Sequence, residues 1–158
     1  MAAAPRGPVM WLNHLDLLPG DPSVATSHDA IQSHGLVVTS STLGDTAPGG
    51  GNKVVTMGVQ GVPGYLITGV RVCYELSNPR SFITQIRLAQ TQSPPDTQLV
   101  ILDDGTNHTQ AGPRCVDSKR ASIDPNKGAV TLDFRVKCGD TADRINILAV
   151  GLRLRKKS

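Results

Sequence analysis

The stretch Asp103-Asp104-Gly105-Thr106-Asn107 gathers hard oxygen donors around a glycine, a set that suits Ca2+. It lacks the alternation and the terminal glutamate of an EF-hand loop, so a plain polar turn stands beside the metal reading. Asp103, Asp104 and Asn107 are thus the candidate cation ligands. With Trp11 and Tyr65 they are also the candidate ligand-binding residues. The turn Gly139-Asp140-Thr141-Ala142-Asp143 offers the same chemistry more weakly. His28 and His34 lie near Asp21 and Asp29, and two imidazoles with a carboxylate could hold a transition metal. Their spacing fits neither one helical face nor a standard ligand pattern, so solvated loop histidines are the simpler reading.

Other chemistry is thinner. Arg114 precedes Cys115 and could lower its thiol pKa, but no histidine adjoins it in sequence to make a nucleophile. The three cysteines, Cys73, Cys115 and Cys138, are odd in number and far apart. They match no disulfide framework or zinc pattern. Three reduced, buried thiols are expected, with one disulfide plus a free thiol as the alternative. Gly58, Gly61 and Gly64 lack the strand-to-helix setting of a dinucleotide site. No nucleophile elbow, HExxH helix, P-loop or CxxC occurs. Glu75 is the sole glutamate, so a glycosidase dyad would have to be built from aspartates. The chain is therefore expected not to be an enzyme and to need no cofactor beyond the calcium considered above.

The elements that must position these residues read as strands. The run VPGYLITGVRVCYEL, residues 62–76, opens on a Pro-Gly turn and then alternates. Leu66, Val70, Val72, Tyr74 and Leu76 share one face, while Ile67, Gly69, Arg71, Cys73 and Glu75 share the other. Residues 53–60 alternate around Val55, Met57 and Val59. Residues 82–90 set Phe82, Ile86 and Leu88 against Gln85 and Arg87, at a spacing that suits a hairpin with the strand before. Residues 98–102 form a short apolar strand. Residues 129–138 place Val130, Leu132, Phe134, Val136 and Cys138 opposite Thr131, Asp133, Arg135 and Lys137. Residues 144–155 carry Leu148, Val150, Leu152 and Leu154 inward. Residues 36–41 add a β-branched strand, and short edge strands fit 114–118 and 121–123. Residues 9–18 suit an edge strand or one amphipathic turn. Residues 21–35 look irregular, with Ser27 placed to cap a helical turn over 29–33. The loops at 44–52 and 103–113 are glycine-rich or polar.

About eight to ten short strands separated by turns, with almost no helix, point to an all-β fold. The expected architecture is an antiparallel β-sandwich of jelly-roll type. The series VPGYLITGVRVCYEL, FITQIRLAQ, GAVTLDFRV and DRINILAVGLRLR resembles β-sandwich modules of uncharacterised bacterial and phage proteins across about residues 53–155. That resemblance implies a fold and transfers no functional residue. Residues 1–8 read as a flexible arm and residues 9–158 as a single domain, consistent with a chain of 158 residues.

Composition narrows the function further. Only 3% of residues are aromatic and net charge is +3. Arg153, Arg155, Lys156 and Lys157 make a basic end, yet single-stranded nucleic acid would want exposed aromatics for stacking. Nucleic acid is not an expected partner. No window reaches membrane-spanning length. The N-terminus has no uninterrupted apolar run of signal-peptide kind, so a soluble protein, cytoplasmic or released without a standard signal, is expected. The first functional expectation is a non-catalytic structural or interaction module that self-assembles, with a trimer favoured by fold analogy. Its support is the apolar outer-facing set Ile67, Ile147 and Ala149. The alternative is a lectin-like carbohydrate-binding module using Trp11 and Tyr65, opposed by the scarcity of aromatics.

Overall fold

The computed structural model describes residues 7–28 and 35–158. Among them eleven strands pack as two antiparallel sheets, a β-sandwich of jelly-roll type, with no α-helix. The strands are β1 (Val9–Trp11), β2 (Leu18–Pro19), β3 (Val24–His28), β4 (Leu36–Ser40), β5 (Val54–Val59), β6 (Tyr65–Leu76), β7 (Phe82–Gln92), β8 (Thr97–Asp104), β9 (Arg114–Asp117), β10 (Gly128–Lys137) and β11 (Ile145–Lys156). Two short 3-10 turns, His14–Asp16 and Pro125–Lys127, are capped by the side chains of Asn13 and Asp124. One sheet runs β3-β4-β11-β6-β9, with β1 also on β11; the other runs β2-β5-β10-β7-β8. No helix among the described residues is long and apolar enough to cross a membrane.

From β4 onward the chain changes sheet at every connection except β7 to β8. The expected hairpin between β6 and β7 is therefore not formed. Residues 77–81 instead carry the chain from one sheet to the other. They are held there by Asp143, which accepts from Arg80 Nε at 2.9 Å, Arg80 Nη2 at 3.1 Å and Ser81 Oγ at 2.6 Å. Residues 24–28, expected to be irregular, form β3 because β4 offers it a five-residue ladder from Val24–Ser40 to His28–Leu36. Ser27 lies within that strand, and the helical turn expected over 29–33 lies outside the described residues. Residues 98–102 form the expected strand. They belong to β8, an edge strand whose Leu99 and Val100 are 42% and 52% exposed.

Val55, Met57, Val130, Leu132, Phe134, Ile86 and Leu88 of one sheet face Val70, Val72, Tyr74, Val150 and Leu152 of the other, all buried. Bulges adjust the pattern. On β11, Ile147 opposes Tyr74 and Ala149 opposes Cys73, leaving Leu148 as an extra residue. On β6, Gly69 opposes Arg153 and Ile67 opposes Leu154, leaving Thr68 extra. Each extra residue reverses the side on which alternate residues fall. Hence Ile67 and Ile147, both expected on the outer face, are fully buried core residues. Two of the three residues that argued for a subunit contact are thereby accounted for inside one chain.

The cysteine expectation is also corrected. Cys73 of β6 and Cys115 of β9 stand directly opposite, with Cα atoms 3.9 Å apart, and form a disulfide. Only Cys138 is free and buried, its thiol donating to the Asp140 carbonyl at 3.0 Å. The bond closes a sequence separation of 42 residues and fixes the edge strand β9 to the sheet. The chain-entropy model gives a closure of this length roughly 4 kcal/mol. Reduction is expected to lower the melting temperature by about 10 °C. Differential scanning fluorimetry with and without reductant checks this. Intact-mass alkylation of the unreduced protein should find one thiol; three would overturn the pairing.

Candidate functional site

The residues singled out by sequence do not meet in one place. Trp11 is 56% exposed on β1, and Tyr65 is partly buried at the start of β6. Along β11 they align with Gly151 and Lys156 respectively. Five strand residues separate these positions, roughly 16 Å. Trp11 rests on Gly151, where an added Cβ would lie 3.1 Å from its Cε3 and 2.4 Å from Val9 Cγ1.

Asp103 and Asp104 are successive residues of a strand, so they point to opposite sides. Asp104 is buried and accepts from Thr106 N at 3.1 Å, Thr106 Oγ1 at 2.7 Å and Lys119 N at 2.7 Å. Asn107 Oδ1 accepts from Thr84 Oγ1 at 2.8 Å. These three oxygens organise a loop rather than converge. Asp21 caps the turn at Ser23 N at 2.7 Å, and His28 is exposed at the far end of β3. His34 and Asp29 lie outside the described residues. No group of three or more metal-ligating side chains occurs among the described residues. Cys115 is spent in the disulfide, which removes it as a nucleophile. In the turn after β10, Asp140 and Asp143 both bind Arg80, at 3.3 and 2.9 Å. Of the basic end, Arg153 pairs with Asp117 at 3.2 Å and Lys157 with Asp124 at 2.8 Å.

The loop at 44–52 is held from below. Lys53 is fully buried, and its Nζ donates to the carbonyls of Thr42 at 2.5 Å, Leu43 at 3.0 Å and Gly44 at 3.3 Å. This ammonium closes the loop onto the sandwich.

A different surface does bring chemistry together, the outer face of the five-stranded sheet. Ladder registers align Thr56 with Asp133, Asp133 with Arg87, and Arg87 with Asp103. Four polar side chains thus cross four neighbouring strands in one row, a span of roughly 14 Å. Arg87 Nη2 lies 3.7 Å from Asp103 Oδ2, and Gln85 Nε2 donates to Asp103 Oδ1. Arg87 Nε is buried without a hydrogen-bond partner. Guanidinium donors and carboxylate acceptors here lie beside one another and are only partly covered, at 31% and 51% exposure.

The next row is small: Gly58, Thr131, Ala89 and Val100 align across the same strands. Ala89 is only 6% exposed although it lies on the outer side, because its larger neighbours stand above it. Beyond it, Gly58 and Ala129 lead into a cavity of about 600 Å3 that also holds Gln60 and Asn126. At the other end Arg135 reaches Asp45 at 3.3 Å, tying the face to the 44–52 loop. Sequence reasoning saw Gln85, Arg87, Asp133 and Arg135 only as the solvated side of separate strands. The signal for a site was cross-strand register, which alternation within single strands does not contain.

No family model matches this chain, and no curated protein matches it. Among solved structures it is similar to the C-terminal family 22 carbohydrate-binding module of Clostridium thermocellum Xyn10B, at 14% identity and a TM-score of 0.54, over 92% of this chain and 91% of that one. It also aligns with a CBM4 structure, at 15% identity and a TM-score of 0.47 over 84% and 88% of the two chains. The N-terminal cellulose-binding domain of Cellulomonas fimi β-1,4-glucanase C aligns at 17% identity and a TM-score of 0.44, over 99% of each chain. The first likeness is one of fold: a β-sandwich of the same size and overall arrangement.

The polar loop behind the face makes the structure sensitive to acid. Burial lowers the pKa of His108, against the opposing pull of Asp104, and its Nε2 is buried without a partner. The neutral imidazole is thus the form the fold holds. Its stabilising contribution is complete above the ordinary value of 6.5 and declines as pH falls below it. For Asp104, burial pushes the carboxyl up, but hydrogen bonds from Thr106 and Lys119 outweigh it and leave the pKa lowered. That contribution is present above the ordinary 3.8 and is lost only as pH falls through the lower folded value. Thermal melts from pH 8 to 3 should therefore fall in two stages. His108→Asn should flatten the first and leave the second; an unchanged first stage would refute the assignment.

Proposed function

We propose that this chain is a non-catalytic carbohydrate-binding module whose ligand lies on the outer face of the five-stranded sheet. The observation that carries this reading is the registered row Thr56–Asp133–Arg87–Asp103 with Gln85 beside it. Adjacent hydroxyls of a sugar ring present donors and acceptors side by side. A guanidinium next to carboxylates, amide and hydroxyls offers the complementary set. The Arg87 side chain is 31% exposed, and guanidinium donors left over from the Asp103 pairing could meet a sugar oxygen. The fold likeness to a carbohydrate-binding module supports the same reading.

The row favours recognition over turnover. Asp103 is 51% exposed and Arg87 stands between it and Asp133. A glycoside-hydrolysing site needs two carboxyl groups placed around the scissile bond with room for the attacking water, whereas here a guanidinium separates the two carboxylates in an open row across the strands. Binding here would rest on hydrogen bonds rather than on stacking. Trp11 and Tyr65, the platforms expected from sequence, belong to the other sheet. The Cys73–Cys115 bond supports placing the module in an oxidising compartment rather than the cytoplasm.

Affinity electrophoresis and calorimetry against soluble xylan, mixed-linkage β-glucan and glucomannan test the proposal. One of these should bind. Arg87→Ala or Asp103→Ala should then weaken binding about tenfold or more, the consequence of losing a charge-assisted hydrogen bond. Trp11→Ala should stay within about twofold of wild type, since it removes no such bond. Absence of binding across a broadened polysaccharide panel would sink the reading. Loss with Trp11→Ala but not Arg87→Ala would move the site to the opposite sheet.

A further inference from the structure

The six-stranded sheet carries a second concavity whose chemistry differs from that of the face above. The bulge at Thr68 opens the β6–β11 ladder, and Gly69 beside it leaves the floor without a side chain. A Cβ there would sit 3.2 Å from Ser118 Oγ. One wall is the segment after β9, tied down by Ser118 N to Val70 O at 2.8 Å, Val70 N to Ser118 Oγ at 2.9 Å and Ala121 N to Thr68 O at 3.0 Å. The other wall is the backbone of Gly7 and Pro8, fixed by Leu154 N to Pro8 O at 3.0 Å and Arg153 Nη1 to Gly7 O at 3.1 Å. The enclosed volume is about 370 Å3, within the range of small-molecule sites.

Its lining combines apolar surface at Pro8 and Ala121 with four cations, Arg120, Arg153, Arg155 and Lys156, and no carboxylate. Asp117, beside Ser118 in the chain, is engaged by Arg153 in a two-pronged contact at 3.2 and 3.3 Å. Arg155 and Lys156 are exposed at the rim. Arg153 is committed to Asp117 and to the Gly7 carbonyl, so Arg155 and Lys156 at the rim are the cations most open to an anion.

We propose that this cavity binds an organic carboxylate carried on a body of about one sugar ring, the chemistry of an acidic monosaccharide. The rim cations would meet the carboxylate, and Pro8 and Ala121 would take the ring's less polar face. The site is independent of the neutral-sugar face, since the two lie on different sheets.

The test is an NMR titration of the full chain in low salt with D-glucuronate, D-glucose and inorganic phosphate as probes. Glucuronate should shift the amide signals of Gly69, Ser118 and Ala121, and its affinity should fall severalfold as salt rises. Glucose and phosphate, each lacking half of the recognition, should bind at least about tenfold more weakly. Arg155→Glu with Lys156→Glu should reduce glucuronate affinity about tenfold or more, while Lys119→Glu, the same kind of charge change outside the cavity, should stay within about twofold. If the double reversal lowers the melting temperature, Arg155→Gln with Lys156→Gln replaces it. The double variant should keep any wild-type binding of neutral polysaccharide, so failure of one site is distinguishable from failure of the other. Equal losses in the double variant and Lys119→Glu, phosphate binding as tight as glucuronate, or no shifts at those amides would each overturn the proposal.

Discussion

Everything in this sandwich follows from pleat parity: a long strand has two sides and only one may face the core. A strand of twelve residues such as β6 or β11 cannot twist around the core and keep perfect alternation along its whole length. Extra residues absorb the mismatch, at Leu148 in β11, Thr68 in β6, Thr84 in β7 and Ile101 in β8. Each changes which side chains are buried beyond it. Ile67 and Ile147 enter the core by this route, and the same bulge at Thr68 opens the basic cavity on the outer side. Core and concavity are two consequences of one local irregularity.

The loops are governed by a second requirement, that buried polar groups find partners. Lys53 collects three carbonyls beneath the 42–44 turn, Asp104 collects three donors between β8 and the segment after β9, and Asp143 joins the β6–β7 crossover to the β10–β11 turn. Gln90, also buried, donates from Nε2 to Asp124 O at 2.8 Å and Gly128 O at 3.1 Å. Glycine-rich and acidic loops look like ligand sites in a linear reading. Here several of their charged groups serve as anchors, and the surfaces left open lie on the sheets.

How much could be read without coordinates divides along the same line. Strand positions around Val55, Val70, Leu132 and Val150 follow from period-two alternation, a property of single strands. The all-β class follows from their number and the turns between them. Pairing is a different matter. Nothing local separates a β6–β7 hairpin from a β6–β11 ladder, because turn residues serve a sheet-to-sheet crossover equally well. Val24 to His28 has no apolar alternation and becomes a strand only because β4 has a free edge. Cys73 and Cys115 are distant in sequence and adjacent only through that pairing. The neighbour of Asp103 in chemistry is Arg87 across the ladder, while Asp104 next to it in the chain points to the other side.

That contrast bears on what kind of recognition the molecule can support. With so few aromatic residues, and Tyr74 and Phe134 used in the core, the chain cannot build a broad stacking platform. On the proposed reading, selectivity would come from polar groups held at fixed spacing. A sheet provides that spacing at low entropic cost, since registered strands set side chains about 5 Å apart across the ladder. Arg87 shows both halves of the argument. Its Nη2 is paired with Asp103 and therefore held in place, while its Nε is buried and unsatisfied. The pairing fixes the guanidinium at its place in the row, and the side chain remains 31% exposed.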